Sequence, residues 1–217
     1  TYEVRDVLKN SHDEALFDYY TTSKLALVHV PSGRVTPIGK PAVYGQISPA
    51  PGGKHLLIAR LHRPYSYLRT ASRFPREIEI WSPAGDLIET VASLPLADQV
   101  PIDGVPTGPR DHHWKPTEPP MLVWAEALDG GDPNKKVAHR DRVMVRPLGG
   151  QPAEFCKTAQ RFTREHWIEK SPLVLVADYD RDRRWTRTLV VNSEDSAAAP
   201  RVLWDMSDDE LYKNPGY

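Results

Sequence analysis

From residue 24 onward, apolar positions recur every second residue in short runs, and the runs are broken by turns rich in proline and glycine. "KLALVHV" (24–30) and "RVTPIG" (34–39) flank a "PSG" turn and predict a β-hairpin. Upstream the period is longer. Val7, Leu8, Ala15, Leu16 and Tyr19 fall on one stripe over residues 5–20, which predicts a partly helical segment, with Ser11 placed to cap it ahead of Glu14.

Beyond the hairpin a unit recurs. "HLLIARL", "MLVWAEAL" and "LVLVADY" align as apolar runs that end in polar residues, and each is followed by an alternating run: "EIEIW", "RVMV" and "TLVV". Each alternating run leads through a turn into a further strand. Four short antiparallel strands repeated at roughly 50–65 residues predict β-propeller blades. The expected fold is therefore all-β: a partial β-propeller of about three to four four-stranded antiparallel blades, with a short helical segment near the N-terminus. The expected boundaries make residues 1–217 one partial propeller domain. It comprises a helical insertion (1–22), a half blade (23–40) and blades at 41–95, 108–158 and 161–206. "DDELYKNPGY" (208–217) reads as the entry to another blade. A small β-sandwich with a similar strand count is the competing arrangement.

In a four-stranded meander, connections alternate between the two ends of the sheet. The first-to-second and third-to-fourth turns are short here: "PAPGG", "SPAGD", "PLGGQ". The second-to-third loops and the links between blades are elaborate: "RPYSYLRTASRFPR", "GGDPNKKVAHR", "RDRRW" and "PLADQVPIDGVPTGPR". One face is plain and the other built up, and functional loops collect on faces of the second kind.

Composition narrows the function. A net charge of -1 over 217 residues disfavours nucleic acid as a partner. No apolar run approaches the roughly 18 residues that cross a bilayer, so no membrane partner is expected. No targeting signal is readable, and the first residue is Thr, so an excised or processed chain is expected and the compartment stays open. Cys156 is the single cysteine, which excludes an internal disulfide and a multi-cysteine zinc site. It reads as a packed thiol beside Phe155.

The familiar catalytic motifs are absent. There is no G-x-S-x-G elbow, Walker loop, GxGxxG or HExxH, so no catalytic residue, metal site or cofactor is assigned. His112 and His113 are neighbours that point to opposite faces of a strand, one packed and one exposed. "DGGDP" (129–133) reads as a turn and not a calcium loop. Trp81, Trp114, Trp124 and Trp167 occupy related strand positions and are expected in the core between blades. "RDRRWTR" (181–187) reads as a solvated turn with arginine stacked on Trp185. The loop "HRPYSYLRTASRFPR" (62–76) carries four arginines, two tyrosines, a phenylalanine and no acid. Its Arg63, Tyr65, Tyr67, Arg69 and Arg73 are candidate substrate-binding residues, because arginine pairs bidentately with carboxylates and tyrosine adds an apolar body with a polar tip. Packing within the fold is the alternative reading of the same residues.

"DEALFDYYTTSKLALV", "GKPAVYGQISPAPGGKHLLIARLHRPYSYLRTASRFPREIEIW", "SLPLADQVPI", "WAEALDGGDP", "RDRVMV" and "RRWTRTLVVN" together resemble the glutamyl endopeptidase-like branch of the prolyl oligopeptidase family, over residues 4–216. "HRPYSYL…RFP" and "AEALDGGDP" are the most specific parts. The resemblance implies a serine peptidase with an N-terminal β-propeller and a C-terminal α/β-hydrolase domain that carries the Ser-Asp-His triad. Only the propeller portion is matched. The implied function is a non-catalytic propeller fragment that gates and orients peptide substrates for a hydrolase domain not in this chain. The implied preference for glutamate makes Arg63, Arg69 and Arg73 candidates by charge. The implied partners are that hydrolase domain and a peptide. Open blade edges add possible self-association. The alternative is a stand-alone propeller-type scaffold that binds a protein on its built-up face.

Overall fold

The computed structural model describes residues 7–195, 197–210 and 212. Arg5 and Asp6 of the expected helix, and most of the "DDELYKNPGY" segment, lie outside the described residues. The described residues hold one α-helix, a 3-10 turn at Ala71–Arg73 and thirteen strands, and the chain divides into two compact units at Val100/Pro101.

The first unit begins with α1 (Ser11–Thr21). Its N-cap is Asn10 and not the expected Ser11. The Asn10 carboxamide oxygen accepts from His12 N at 2.9 Å and Asp13 N at 3.0 Å, pairing two backbone donors that the helix cannot satisfy itself. The predicted stripe also differs. Tyr19 is 78% and Leu16 40% exposed, while Phe17, which the stripe omits, packs against the body of the unit together with Leu8, which the stripe includes. Phe17 is selected because its ring meets the aromatic residues of the 62–76 loop, as described below.

Five antiparallel strands follow in sheet order: β1 (Thr22–His29), β2 (Arg34–Pro49), β3 (Leu56–Leu61), β4 (Arg76–Trp81) and β5 (Leu87–Leu94). The predicted hairpin is β1 with the first half of β2. β2 then runs on without a break, and its second half pairs with β3, so Val43 faces both Thr22 and Leu61. The hairpin and the three strands after it are thus one sheet. The turn in β2 falls at Gly39, whose φ of +63° suits a residue with no side chain. A Cβ there would lie 2.4 Å from the Trp81 ring, so the indole occupies the space glycine leaves.

The second unit holds two four-stranded antiparallel sheets. One is β6 (Pro109–Trp114), β7 (Met121–Ala127), β8 (Asp141–Pro147) and β9 (Ala153–Thr158). The other is β10 (Arg161–Trp167), β11 (Leu173–Asp180), β12 (Trp185–Asn192) and β13 (Arg201–Ser207). They share one core of Val123, Ala125, Val143, Cys156, Phe162, Val174, Val176, Leu189 and Val191, with Trp167 and Phe155 packed at its edge. Burying each of the valine, leucine and phenylalanine side chains contributes about 1.5–3 kcal/mol. Trp81, Trp114 and Trp124 are buried as expected.

The three sheets repeat the same local chemistry. Ala59, Ala125 and Ala177 are buried at equivalent points of their second strands, and each precedes a charged residue: Arg60, Glu126 and Asp178. Directly across on the third strand stand Glu77, Arg142 and Arg187, each of opposite charge. Cross-strand pairs of opposite charge favour this register over a slipped one. The fold is therefore all-β with one short helix: three antiparallel sheets of four or five strands and no closed barrel, consistent with partial propeller-like blades.

Candidate functional site

The cationic loop 62–76 connects β3 to β4 and is largely occupied by the chain itself. Arg63 sets Nε and Nη2 on Asp18 of α1, at 3.1 and 2.8 Å, and Nη1 on Glu14. The Tyr65 hydroxyl donates to the other oxygen of Asp18. Burial and this bond to a carboxylate both raise the Tyr65 pKa, so the phenol stays protonated. Burial works to raise the Asp18 pKa, but the bonds from Tyr65 and Arg63 outweigh it and hold it below the usual carboxylate value. The Tyr65 ring stacks on Phe74 at 4.7 Å between centroids, and Phe17 meets both rings edge-on at 5.0 and 5.5 Å. The three aromatics and Leu61 form a small core that seats the helix on the sheet.

Two more arginines of the loop also have acceptors. Arg69 donates from Nε to the Asp98 carbonyl at 3.2 Å and from Nη2 to the Val100 carbonyl at 2.7 Å. Arg76 donates to the carbonyls of Phe74, Ala71 and Ser72, which holds the 3-10 turn Ala71–Arg73 in place. Of the five candidate residues, Tyr65 is buried, Arg63 is half-exposed and engaged, and Arg69 is engaged. Tyr67 is 45% exposed beside Glu14. Arg73 lies in the 3-10 turn.

A concave site is found in the second unit. A cleft of about 400 Å³ is lined by Ile102, Asp103, Pro133, Asn134, Arg140, Gln160, Arg161, Tyr179, Asp180, Arg181 and Asp182. These residues come from the elaborate connections and the strand ends beside them: the segment before β6, the β7–β8 loop, the β9–β10 link with the first residue of β10, and the end of β11 with the β11–β12 loop.

Under the cleft lies a charged lattice that sequence reading missed. Asp129 and Asp141 are fully buried. Arg161 bridges them, with Nη2 on Asp129 at 2.5 Å and Nη1 on Asp141 at 2.6 Å. Arg140 adds Nη1 to Asp129 at 3.1 Å, and Arg110 adds Nη2 to Asp141 at 2.6 Å. The backbone N–H groups of Gly131 and Phe162 complete the two carboxylates. Burial works to raise the Asp129 pKa, and Arg161, the Gly131 amide and Arg140 outweigh it, so Asp129 is held anionic. The "DGGDP" segment is thus a turn, as read. Gly131, at φ +77°, passes so close to the Val105 carbonyl that a Cβ would sit 2.0 Å from its oxygen. What the sequence hid is that Asp129 turns inward. Its partners lie 11 and 32 residues away, and only the strand order brings them together.

The histidine pair behaves in two ways. His112 is buried and stacks on Trp124 at 5.8 Å. Burial, with the neighbouring His113 charge, lowers its pKa to about 4 and keeps it neutral. His113 is half-buried and bridges β6 to Glu165 of β10. Cys156 is buried, and its thiol pKa is pushed up to about 12 by burial and by the charges of Glu154, Glu165 and Asp178. Arg183 lies over the Trp185 ring at 4.6 Å, as the "RDRRWTR" reading requires. Among the described residues, no group of three or more His, Cys, Asp or Glu is placed to hold a metal ion, and no helix is long and apolar enough to cross a membrane.

No protein-family model matches this chain, and no solved structure matches it. Two curated proteins do. A probable chloroplastic glutamyl endopeptidase of Oryza sativa subsp. japonica is 41% identical over 98% of this chain. A protein of the same name from Arabidopsis thaliana is 36% identical over the same share. The chain spans less than a quarter of either relative, 23% and 22% of their lengths. Over that span the chain is similar to one segment of two proteins named as probable glutamyl endopeptidases, consistent with its being a partial fragment of such a protein.

Proposed function

We propose that this chain is the non-catalytic β-propeller portion of a serine peptidase of the prolyl oligopeptidase family, which admits and orients peptide substrates for a separate hydrolase domain. The observation that carries the reading is the homology to proteins named as peptidases in a segment built of repeated antiparallel sheets. The chain has no G-x-S-x-G elbow, and its one cysteine is a buried thiol whose high pKa disfavours the thiolate a nucleophile needs. In the full-length protein, bond cleavage would follow acyl transfer: serine attack, histidine as base, and an oxyanion hole, all outside this segment. The contribution of this segment is selection. Loops on one end of its sheets supply guanidinium, amide and phenol groups that a peptide can use.

A gate discriminates by size. The full-length protein is expected to hydrolyse short peptides and unfolded segments, and to spare a folded protein that displays the same sequence in a surface loop. Equal rates on the peptide and on the folded protein, at matched concentration, would rule out the gating role.

A further inference from the structure

We infer that the cleft of the second unit is a peptide-binding site in which the open guanidinium edge of Arg140 receives a peptide carboxylate. The inference rests on the reading of this chain as part of a peptidase and names a site for that role. The argument begins with how arginines are used in this molecule. The parallel Nε and Nη2 donors of a guanidinium form a fork that matches two acceptors. In Arg60, Arg63, Arg142 and Arg187 that fork is filled by a carboxylate, and in Arg69 by two carbonyls.

Arg140 departs from this habit. Its Nη1 is spent on Asp129 and on the Lys135 carbonyl, while Nε and Nη2 have no acceptor among the described residues. The side chain is only 23% exposed, so water reaches it less freely than it reaches a surface arginine. Nη1 pins it to a fully buried carboxylate, so the open edge is already oriented and little side-chain entropy is lost on binding.

The rest of the cleft suits a peptide chain. The Gln160 side-chain amide and the Tyr179 hydroxyl have no partner among the described residues, and a carboxamide offers the donor and acceptor that a peptide group needs. Ile102 and Pro133 give apolar wall. Asp103, Asp180 and Asp182 line the same cleft; Arg181 is paired with Asp103, and Arg140 and Arg161 are already paired with the buried carboxylates beneath, so the cleft carries no surplus of positive charge and a dense run of acids is disfavoured there. The ligand is therefore a peptide that presents one carboxylate, from an acidic side chain or from its C-terminus.

The test is nuclear magnetic resonance titration of the 217-residue chain with four alanine-based, N-acetylated peptides. The first carries one central glutamate and an amidated end. The second replaces glutamate by glutamine. The third is the glutamine peptide with a free C-terminus, and the fourth has three consecutive glutamates. Shifts at residues 102–103, 133–134, 140, 160–161 and 179–182 with the first or the third peptide, and not the second, support the site and identify the source of the carboxylate. The three-glutamate peptide is expected to bind no tighter than the first. Shifts with all four peptides alike, with none, or in proportion to total peptide charge overturn the inference.

Arg140→Lys keeps a cation for Asp129 and removes the fork. It should weaken binding about tenfold with the fold intact by circular dichroism. Gln160→Ala, whose native contact to Asp178 is through the backbone only, provides a second variant that should weaken binding and leave the lattice alone. Binding that survives both substitutions overturns the assignment. The outcome is separable from that of the wider reading. Peptide binding here without serine-dependent hydrolysis in the full-length protein would keep the cleft and remove the peptidase role, and the reverse result would do the opposite.

Discussion

His113 of β6 bonds through Nε2 to the buried carboxylate of Glu165 on β10, and so ties the two sheets of the second unit together by side chains. Its other ring nitrogen, Nδ1, sits 2.7 Å from the Asp111 carbonyl. A carbonyl and a carboxylate can only accept, so both ring nitrogens donate and the ring is an imidazolium. Burial opposes that charge, and the bonds and charges of Glu165 and Asp111 outweigh it, so the His113 pKa is raised.

The sign follows from linkage. A histidine whose folded pKa is raised contributes stability that is fully present below its unfolded value near 6.5, and that stability is lost as pH rises through the folded value. His113→Gln should therefore cost more at pH 6 than at pH 8, by about 1 kcal/mol or less given the partial exposure of the ring. His112 works the other way: its pKa of about 4 means that stability is lost as pH falls from about 6.5 towards 4. Urea unfolding of the His113→Gln variant against the parent across pH 5–8 separates the two. A cost that does not change with pH would contradict the imidazolium assignment.

The Asp141 carboxylate holds two guanidiniums and a backbone amide in the second unit. Asp141→Asn leaves Arg110 and Arg161 without their shared charge, and breaking a buried pair costs about 3–5 kcal/mol. Asp111→Asn suits the positive φ of +59° at this position, removes an exposed contact to Arg110 at 3.6 Å and one charge near His113, and should cost under about 1 kcal/mol. Chemical denaturation of both variants checks the contrast. Equal costs would mean that the lattice is not buried as described.

Docking of α1 depends on one aromatic contact. Phe17→Ala opens the cluster with Tyr65 and Phe74 and should destabilise the first unit by about 2–3 kcal/mol, below the full cost for a completely buried ring. Tyr19→Ala, on the exposed side of the same helix, should stay within about 0.5 kcal/mol. Thermal melts of the two variants test this directly.

Much of the strand order was legible because short alternating runs between turns leave few other solutions. "HLLIARL", "MLVWAEAL" and "LVLVADY" became β3, β7 and β11, with the expected third strands beside them. What could not be read was pairing across distance. The sequence shows Arg63 and Asp18 as unrelated charges, because the contact exists only once α1 packs on the β3–β4 loop. The helix stripe misled for a related reason: tertiary aromatic partners, and not the period alone, chose Phe17 over Tyr19. The cleft lies on the built-up loops that were singled out, yet Arg140 and Gln160 carry no local signature and emerge only from geometry.

Cys156 offers a probe of integrity. Its thiol is buried, with its pKa pushed up to about 12, so alkylation by iodoacetamide at pH 8 should be slow in the folded chain and rapid in urea. Mass spectrometry of the modified chain over time reads this. Fast labelling without denaturant would show that the core around Val143 and Val176 is open.

The central claim is that this chain serves a peptidase without being the part that cuts. The most direct measurement is hydrolysis of a glutamate-containing fluorogenic peptide by this chain and by the full-length protein, each with and without a serine-directed inhibitor. Inhibitable hydrolysis by the full-length protein and silence from this chain are predicted. Inhibitable hydrolysis by the purified chain itself would contradict the account and place a nucleophile within these sheets.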